Sequence, residues 1–301
     1  MSAGEFFAVV NPAAGNGRCG KLAGAALDRL REAGVKLQVA ESARPGHASE
    51  LVREAYRNGQ RRFLAIGGDG TVFEIVNGLF PAAQADSPPE LAILPLGTGN
   101  SFLRDFTDRP GEAALEAIRA GRTRLCDVLR LEHGGGVLHF INLLSLGFAA
   151  DVAAFRNRHF RRGGQMAYLA SVVVSLARLK PQSFPLRVED DLEFDRRGCL
   201  FLSFNNSRFT GGTMMIAPDA DPRDGLIELV RWGAIGRLGL LWNLPGLYSG
   251  AHIRHPLASR RPVRRVEFAP AGPVNVMVDG ESLRVECRRM DVLASALAVV
   301  V

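Results

Sequence analysis

Glycines surround a single carboxylate in the segment IGGDGT (66–71), and this combination could support phosphate chemistry. Asp69 stands among Gly67, Gly68 and Gly70. Glycines allow backbone conformations that a Cβ obstructs, and they let a phosphate approach the chain closely. Asp69 can bind Mg2+ or accept a proton in such a loop, and an Asx-turn is the structural alternative. Thr71 can cap the helix that is predicted to follow.

The segment LPLGTGNSF (94–102) repeats this pattern after the next apolar run. Backbone donors, a hydroxyl and an amide are available from Gly97, Thr98, Gly99 and Asn100. Open α/β folds bind ligands where their parallel strands end. The two segments therefore predict a cradle for a nucleotide, without the lysine of a Walker A motif.

Another glycine-rich segment, NPAAGNGRCG (11–20), is the first of the three loops along the chain; it precedes the first predicted helix and contains the G-x-G-x-x-G pattern. This pattern is also found in NAD-binding domains. Four residues, Asn11 to Ala14, separate the preceding strand from Gly15, whereas the NAD-binding turn follows its strand at once. A less specific phosphate contact is therefore favoured, made by the helix N-terminus and the charge of Arg18.

Alternating strand and helix patterns must position these three loops. Apolar runs predict strands at 6–10, 35–40, 63–66 and 91–95. Helical spacing of apolar residues predicts helices at 21–33 and 48–59. This order predicts an α/β domain over residues 1–124, with a parallel Rossmann-like sheet covered by helices on both faces.

Short strands dominate the rest of the chain and predict a mainly antiparallel β-sandwich over residues 125–289. Its first two strands are expected in LCDVLRLEH and VLHFINLLSLGF, joined by a glycine-rich turn. Helices near 165–179 and 234–249 are expected to interrupt it. The last residues, 290–301, could return to the first sheet.

Composition indicates a folded, two-domain protein of 301 residues with 47% hydrophobic and 23% charged residues. Its net charge of +6 favours phosphate-bearing or anionic lipid partners, and no motif indicates nucleic acid. Four cysteines without a C-x-x-C pair indicate free thiols in a reducing compartment. The longest apolar stretches, 166–179 and 238–251, fall short of the roughly 18 residues that span a bilayer. We therefore expect a cytoplasmic protein.

The N-P-x-x-G, G-G-D-G-T and P-L-G-T-G-N loops, in this order, resemble the diacylglycerol kinase catalytic domain family, which includes soluble bacterial lipid kinases and sphingosine kinases. Further matches extend over nearly the whole chain: LGFAADV (146–152), GGQMAYL (163–169), GGTMMIAPDADPRDG (211–225) and VDGE (278–281). The resemblance implies a nucleotide-binding α/β domain and a β-sandwich that holds a lipid in the cleft between them.

The resemblance also implies roles for individual residues. Glu281 corresponds to the catalytic base, and Asp69 to the residue that handles Mg2+ or helps to activate the acceptor hydroxyl. Asp224 falls where bacterial members hold a structural Mg2+, although Arg223 departs from the usual D-D-G. The implied ATP contacts are Asn11, Gly15, Gly68, Thr71 and Thr98. Their loop neighbours complete the predicted nucleotide site: Pro12, Arg18, Gly67, Gly70, Gly97 and Asn100.

Together these features predict an ATP- and Mg2+-dependent lipid kinase that acts on a hydroxyl of a membrane lipid. It is expected to bind peripherally to the anionic inner membrane surface, with arginine clusters at 156–162, 260–265 and 284–289 as candidate contacts; a homodimer is left open. Ser101 replaces the acid of the family pattern G-T-x-N-D, so the acceptor stays open between diacylglycerol, a sphingoid base and phosphatidylglycerol. An NAD kinase, or a non-catalytic nucleotide- or lipid-binding protein, is the alternative.

Overall fold

A parallel sheet with helices on both faces forms the N-terminal part of the structure, a computed structural model that describes residues 4–159, 174, 180–189, 191–269 and 271–301. Its strands are β1 (Phe6–Val10), β2 (Leu37–Glu41), β3 (Arg62–Gly67) and β4 (Glu90–Pro95). Its helices are α1 (Arg18–Glu32), α2 (His47–Arg57), α3 (Asp69–Leu79) and α4 (Pro110–Ala120). The strands lie in the order β2-β1-β3-β4, and all of these neighbours are parallel.

Side chains of the central strands alternate between two helix layers, as the period of a strand requires. Phe7 and Phe63 are buried on the face covered by α2 and α3. Phe6 and Leu64 are buried on the opposite face, against α1 and α4. Burial on both faces explains why these strands are continuous apolar runs.

The remainder of the chain forms two largely antiparallel sheets that enclose a second core. The strands of this part are β5 (Thr123–His133), β6 (Gly136–Phe140), β7 (Leu143–Gly147), β8 (Gln182–Ser183), β9 (Leu186–Val188), β10 (Gly198–Asn205), β11 (Phe209–Thr210), β12 (Met214–Met215), β13 (Ile227–Gly233), β14 (Ala258–Val263), β15 (Arg265–Phe268), β16 (Val274–Val278), β17 (Glu281–Val285) and β18 (Cys287–Val300). The helices are α5 (Phe148–His159), α6 (Arg237–Asn243) and α7 (Gly246–Ser249). The predicted fold class is therefore confirmed.

One sheet is shared between the two parts of the chain. The strand β18 pairs in parallel with β4 through Ala298 and Val299, and antiparallel with β5 along most of its length. Strands β15, β9 and β6 extend this sheet. The other sandwich sheet has the order β14-β13-β10-β7-β16-β17, with β8 paired to β10.

The prediction of one strand across VLHFINLLSLGF is wrong. The segment contains two strands, β6 and β7, which lie in different sheets. Between them the amides of Ile141 and Asn142 donate to the carboxylate of Asp279 instead of a neighbouring strand. Because this acceptor lies far away in the sequence, the local apolar pattern does not reveal the change of sheet.

Helix boundaries differ from the prediction in two places. Helix α1 begins at Arg18, three residues before the predicted start, and the helix expected at 234–249 is divided into α6 and α7. Pro245 occupies the N-cap position of α7, and a proline in that place interrupts a continuous helix. The helix expected at 165–179 and the motif at 163–169 lie outside the described residues.

Candidate active site

The three glycine loops meet at the carboxyl end of the parallel strands, as predicted. The amide of Gly97 donates to the carbonyl of Gly67 at 2.8 Å. A Cβ on Gly97 would overlap the backbone of Gly68, and a Cβ on Gly15 would lie 3.3 Å from the carbonyl of Leu96. Glycine is therefore needed because the loops approach each other more closely than side chains allow.

Asn11 links the first loop to the second. Its Nδ2 donates to Oγ1 of Thr71 at 3.1 Å, and its Oδ1 accepts the amide of Ala13 at 3.2 Å. The expectation that Thr71 caps the helix is wrong, because α3 already begins at Asp69 and Thr71 lies buried in its first turn. Pro12 and Arg18 frame the first loop: the carbonyl of Pro12 accepts the amide of Gly20, and Arg18 is an exposed first residue of α1.

Asp69 is fixed by Ser101, which lies near the end of the third loop (94–102). The Ser101 amide donates to Oδ1 of Asp69 at 3.0 Å, and the Ser101 hydroxyl donates to Oδ2 at 3.3 Å. The same hydroxyl oxygen accepts the amide of Gly212 at 2.9 Å. A chain of hydrogen bonds therefore joins the glycine loops at the end of the parallel sheet to the β11–β12 hairpin.

Burial controls the titration of two carboxylates in this region. It raises the pKa of Asp69 to about 6, against the opposing effect of the hydrogen bonds from Ser101 and from the backbone of Asn100. Burial also raises the pKa of Asp279 to about 7, and the charge of Asp69 contributes to that rise. Two mutually repelling carboxylates are therefore present at the site.

Glu281 follows the tight turn that joins β16 to β17. Asp279 and Gly280 both have positive φ, 46° and 88°, which is the geometry of a type I′ turn. The carboxylate of Asp279 accepts the amides of Ile141, Asn142 and Leu143 at 2.9–3.0 Å. The turn is thus anchored to the crossing between the two sheets, and this anchor orients the residue that follows it.

The same hairpin brings Glu281 to the second glycine loop. A Cβ on Gly70 would lie 2.5 Å from Oε1 of Glu281. Gly70 is the second residue of α3 and follows Asp69 directly. The structure therefore brings together the two residues predicted to be catalytic, although they are more than 200 positions apart in the sequence.

Asp224 belongs to another acidic group. Its Oδ1 accepts the amide of Leu226 at 2.9 Å. Burial raises the pKa of Asp127 and of Glu228, and the charge of Asp224 adds to both rises. Arg223 pairs with Asp221 at 2.7 Å. Within the described parts of the chain, no group of three or more His, Cys, Asp or Glu side chains could hold a metal by itself.

In two of the three arginine clusters predicted to contact a membrane, some of the arginines form ion pairs. Arg260 pairs with Asp219, and Arg261 pairs with Asp191 at 2.8 Å. Arg289 pairs with Asp291 at 3.3 Å. The side chains of the third cluster, 156–162, lie outside the described residues. None of the described helices is long and apolar enough to cross a membrane.

Comparisons with known proteins agree with this architecture. Residues 5–131 match the family model described as the diacylglycerol kinase catalytic domain, and residues 142–301 match the YegS C-terminal NAD kinase beta sandwich-like domain. A diacylglycerol kinase of Mycobacterium tuberculosis is 32% identical over 282 residues, covering 92% of this chain and 89% of the relative. The chain belongs to the diacylglycerol kinase family of lipid kinases.

Further relatives support the same assignment. A protein of Pseudomonas fluorescens named "Probable lipid kinase YegS-like" is 33% identical over 282 residues, covering 91% of this chain and 89% of that protein. A solved structure described as a diacylglycerol kinase from Bacillus anthracis covers 100% of this lipid kinase with a TM-score of 0.70 and 18% identity, and so supports the fold. The enzyme is therefore a lipid kinase that uses ATP, and the NAD kinase and non-catalytic alternatives are not supported.

Proposed function

We propose that this lipid kinase transfers the γ-phosphoryl group of ATP to a hydroxyl of a membrane lipid, with Glu281 as the general base. The observation that carries the proposal is the position of Oε1 of Glu281 against Gly70, at the start of α3 and next to Asp69. A base contributed by the sandwich thus faces the glycine loops contributed by the parallel sheet. Phosphoryl transfer requires this arrangement, because the acceptor hydroxyl must meet the phosphate in line.

The three loops are the proposed nucleotide site. The N-terminus of α3 and the exposed charge of Arg18 suit phosphate groups. Oδ1 of Asn100 is buried and has no hydrogen-bond partner among the described residues, so it can accept a donor of the bound nucleotide. The remaining proposed nucleotide contacts are the hydroxyls of Thr71 and Thr98 and the surrounding glycine amides.

Mg2+ fits the site through the chemistry of its donors. The pKa of Asp69 is raised by burial, and its charge also raises the pKa of Asp279, so a cation would offset both effects. Mg2+ usually binds through one or two carboxylates together with substrate phosphates. We assign Asp69 as its protein ligand; the bound ion would neutralise charge on the phosphates of ATP.

A separate structural cation is proposed at Asp224. This carboxylate is partly desolvated, and the neighbouring charge of Asp221 raises its pKa further. Arg223, which replaces the first acid of the family's D-D-G, already pairs with Asp221. An arginine therefore supplies part of the positive charge in this group.

The proposed reaction needs one proton transfer by the protein. The lipid hydroxyl oxygen bonds to the γ-phosphorus while the bond from that phosphorus to the bridging oxygen breaks, and Glu281 takes the hydroxyl proton. ADP and the phosphorylated lipid are the products. A positioned general base contributes about 10²–10⁴ in rate.

The proposed acceptor is diacylglycerol, a sphingoid base or phosphatidylglycerol, taken from the inner membrane surface by a peripherally bound enzyme. The test is to incubate the protein with labelled ATP, MgCl2 and a total lipid extract, and to identify phosphorylated lipids by mass spectrometry. NAD is supplied as acceptor in a parallel reaction. Labelled phospholipid supports the proposal, whereas labelled NADP, or no transfer to any lipid, overturns it.

A further inference from the structure

The segment from α6 to the start of β14 exposes an unusual number of large apolar side chains. Trp242 is 86% exposed and Leu238 is 74% exposed. The other members are Leu241, Tyr248 and Leu257. We call residues 237–257 the α6–α7 surface. Single exposed apolar residues are ordinary, but five within one short segment mark an interaction site.

Positive charge accompanies this apolar surface. Residues 229–266 contain seven arginines and neither aspartate nor glutamate. Arg237 and Arg254 lie within the α6–α7 surface and are exposed. Among the ion pairs of the described residues, neither of these two arginines takes part. They are therefore available to an anionic partner.

The α6–α7 surface lies next to the candidate active site. A Cβ on Gly250, directly after α7, would lie 2.5 Å from Pro218 and 3.2 Å from Sδ of Met215, so this end of the surface packs on β12. The β11–β12 hairpin in turn reaches the active site, where the Gly212 amide donates to Ser101 at 2.9 Å. One hairpin therefore separates the exposed apolar side chains from the residue that holds Asp69.

We propose that the α6–α7 surface docks the kinase on an anionic lipid bilayer. Tryptophan, tyrosine and leucine beside unpaired arginines suit the boundary between acyl chains and phosphate headgroups. Docking there would place the adjacent candidate active site at the membrane surface that supplies the lipid. A second copy of the chain fits less well, because a symmetric contact would bring the same arginines face to face.

This proposal rests on the proposed function, because a lipid substrate is the reason for docking on a membrane. Membrane docking itself can be measured without catalysis. Trp242 and Trp232 are the two tryptophans of the chain, and Trp232 is fully buried. Vesicles of phosphatidylcholine and phosphatidylglycerol should therefore shift the emission of Trp242 to the blue. Brominated acyl chains should quench that emission, and salt should weaken binding.

The test compares two double variants by vesicle sedimentation. Leu238→Ser/Trp242→Ser should lose about tenfold or more in vesicle affinity, because two large apolar side chains would no longer be removed from water on binding. The control Leu125→Ser/Val137→Ser removes two exposed apolar side chains from β5 and β6 and should bind as wild type. Arg237→Gln/Arg254→Gln should weaken binding to anionic vesicles but not to pure phosphatidylcholine.

Equal binding by the first variant and its control would overturn the docking proposal, even if lipid phosphorylation is demonstrated. Wild-type dimers that become monomers in Leu238→Ser/Trp242→Ser, without vesicle binding, would also overturn it and assign the surface to a second copy. Vesicle binding that depends on the surface, in a protein that phosphorylates no lipid, would support docking and instead refute the proposed reaction.

Discussion

Ser101 holds Asp69 with two hydrogen bonds, one from its amide and one from its hydroxyl, and the hydroxyl oxygen also accepts the Gly212 amide. Ser101 is fully buried. The residue that departs from the family's G-T-x-N-D pattern therefore joins the metal-binding candidate to the β11–β12 hairpin. Its role is to position Asp69 and to couple the two parts of the chain.

Ser101→Ala should reduce both stability and activity. The variant leaves the buried amide of Gly212 without an acceptor, which costs about 1–3 kcal/mol of unfolding free energy. It also removes a hydrogen bond that lowers the pKa of Asp69. Urea unfolding measures the first effect, and Ser259→Ala, at an exposed position of β14, serves as control. A loss no greater than that of the control would refute this role of Ser101.

Glu281→Gln should abolish most of the turnover while the protein stays folded. The amide cannot take the proton of the acceptor hydroxyl, so kcat should fall by about 10²–10⁴. Glu281 is exposed and glutamine has nearly the same size and shape, so the protein should stay folded. Steady-state kinetics with the lipid identified as substrate provide the measurement. Glu286→Gln, just beyond β17, is the matched control, and equal activity of the two variants would exclude Glu281 as the base.

Gly70→Ala should act through Glu281. The added methyl group would lie 2.5 Å from Oε1 of Glu281, so the carboxylate must move away from the second loop. We expect kcat to fall at least tenfold, and the substitution should have little further effect in a Glu281→Gln background. Gly24→Ala, at an open position of α1, should keep full activity. Independent, additive losses in the double variant would show that Gly70 does not act through Glu281.

Much of the N-terminal architecture could be predicted because its signals are local. The apolar runs that became β1, β3 and β4 are buried on both faces and end in glycine loops, so strand, loop and ligand edge follow from a few consecutive residues. The same holds for the hairpin at Asp279, whose Asp-Gly pair predicts a tight turn.

Long-range contacts could not be predicted in this way. The division of VLHFINLLSLGF depends on Asp279, and the position of Asp69 depends on Ser101 and Gly212, all of them far apart in the sequence. The exposure of the α6–α7 surface could not be predicted for another reason. A short apolar segment looks the same whether another element covers it or, as with Trp242, leaves it exposed.

His139 connects the sandwich to the helix that carries Asp69. Its amide donates to Oδ1 of Asn77 in α3 at 3.0 Å, its carbonyl accepts Nδ2 of Asn77 at 2.8 Å, and its ring stacks on Phe80. Burial, aided by the charge of Arg130, lowers the pKa of His139 to about 4 from the ordinary 6.5. The folded protein therefore keeps this imidazole neutral over a range in which the unfolded chain is protonated.

The unfolding free energy of the wild type should consequently fall as the pH decreases from about 6.5 to about 4, and His139 should contribute nothing to the pH dependence above that range. His139→Phe preserves the ring stacking and the backbone bonds to Asn77 but removes the titration. Urea unfolding at a series of pH values should give a difference between variant and wild type that grows towards low pH, on the order of 3 kcal/mol in full. Other buried histidines, such as His252, are present in both proteins, so their contributions cancel in the difference. Parallel stability curves would show that His139 titrates normally and does not make the contact between α3 and β6 sensitive to acid.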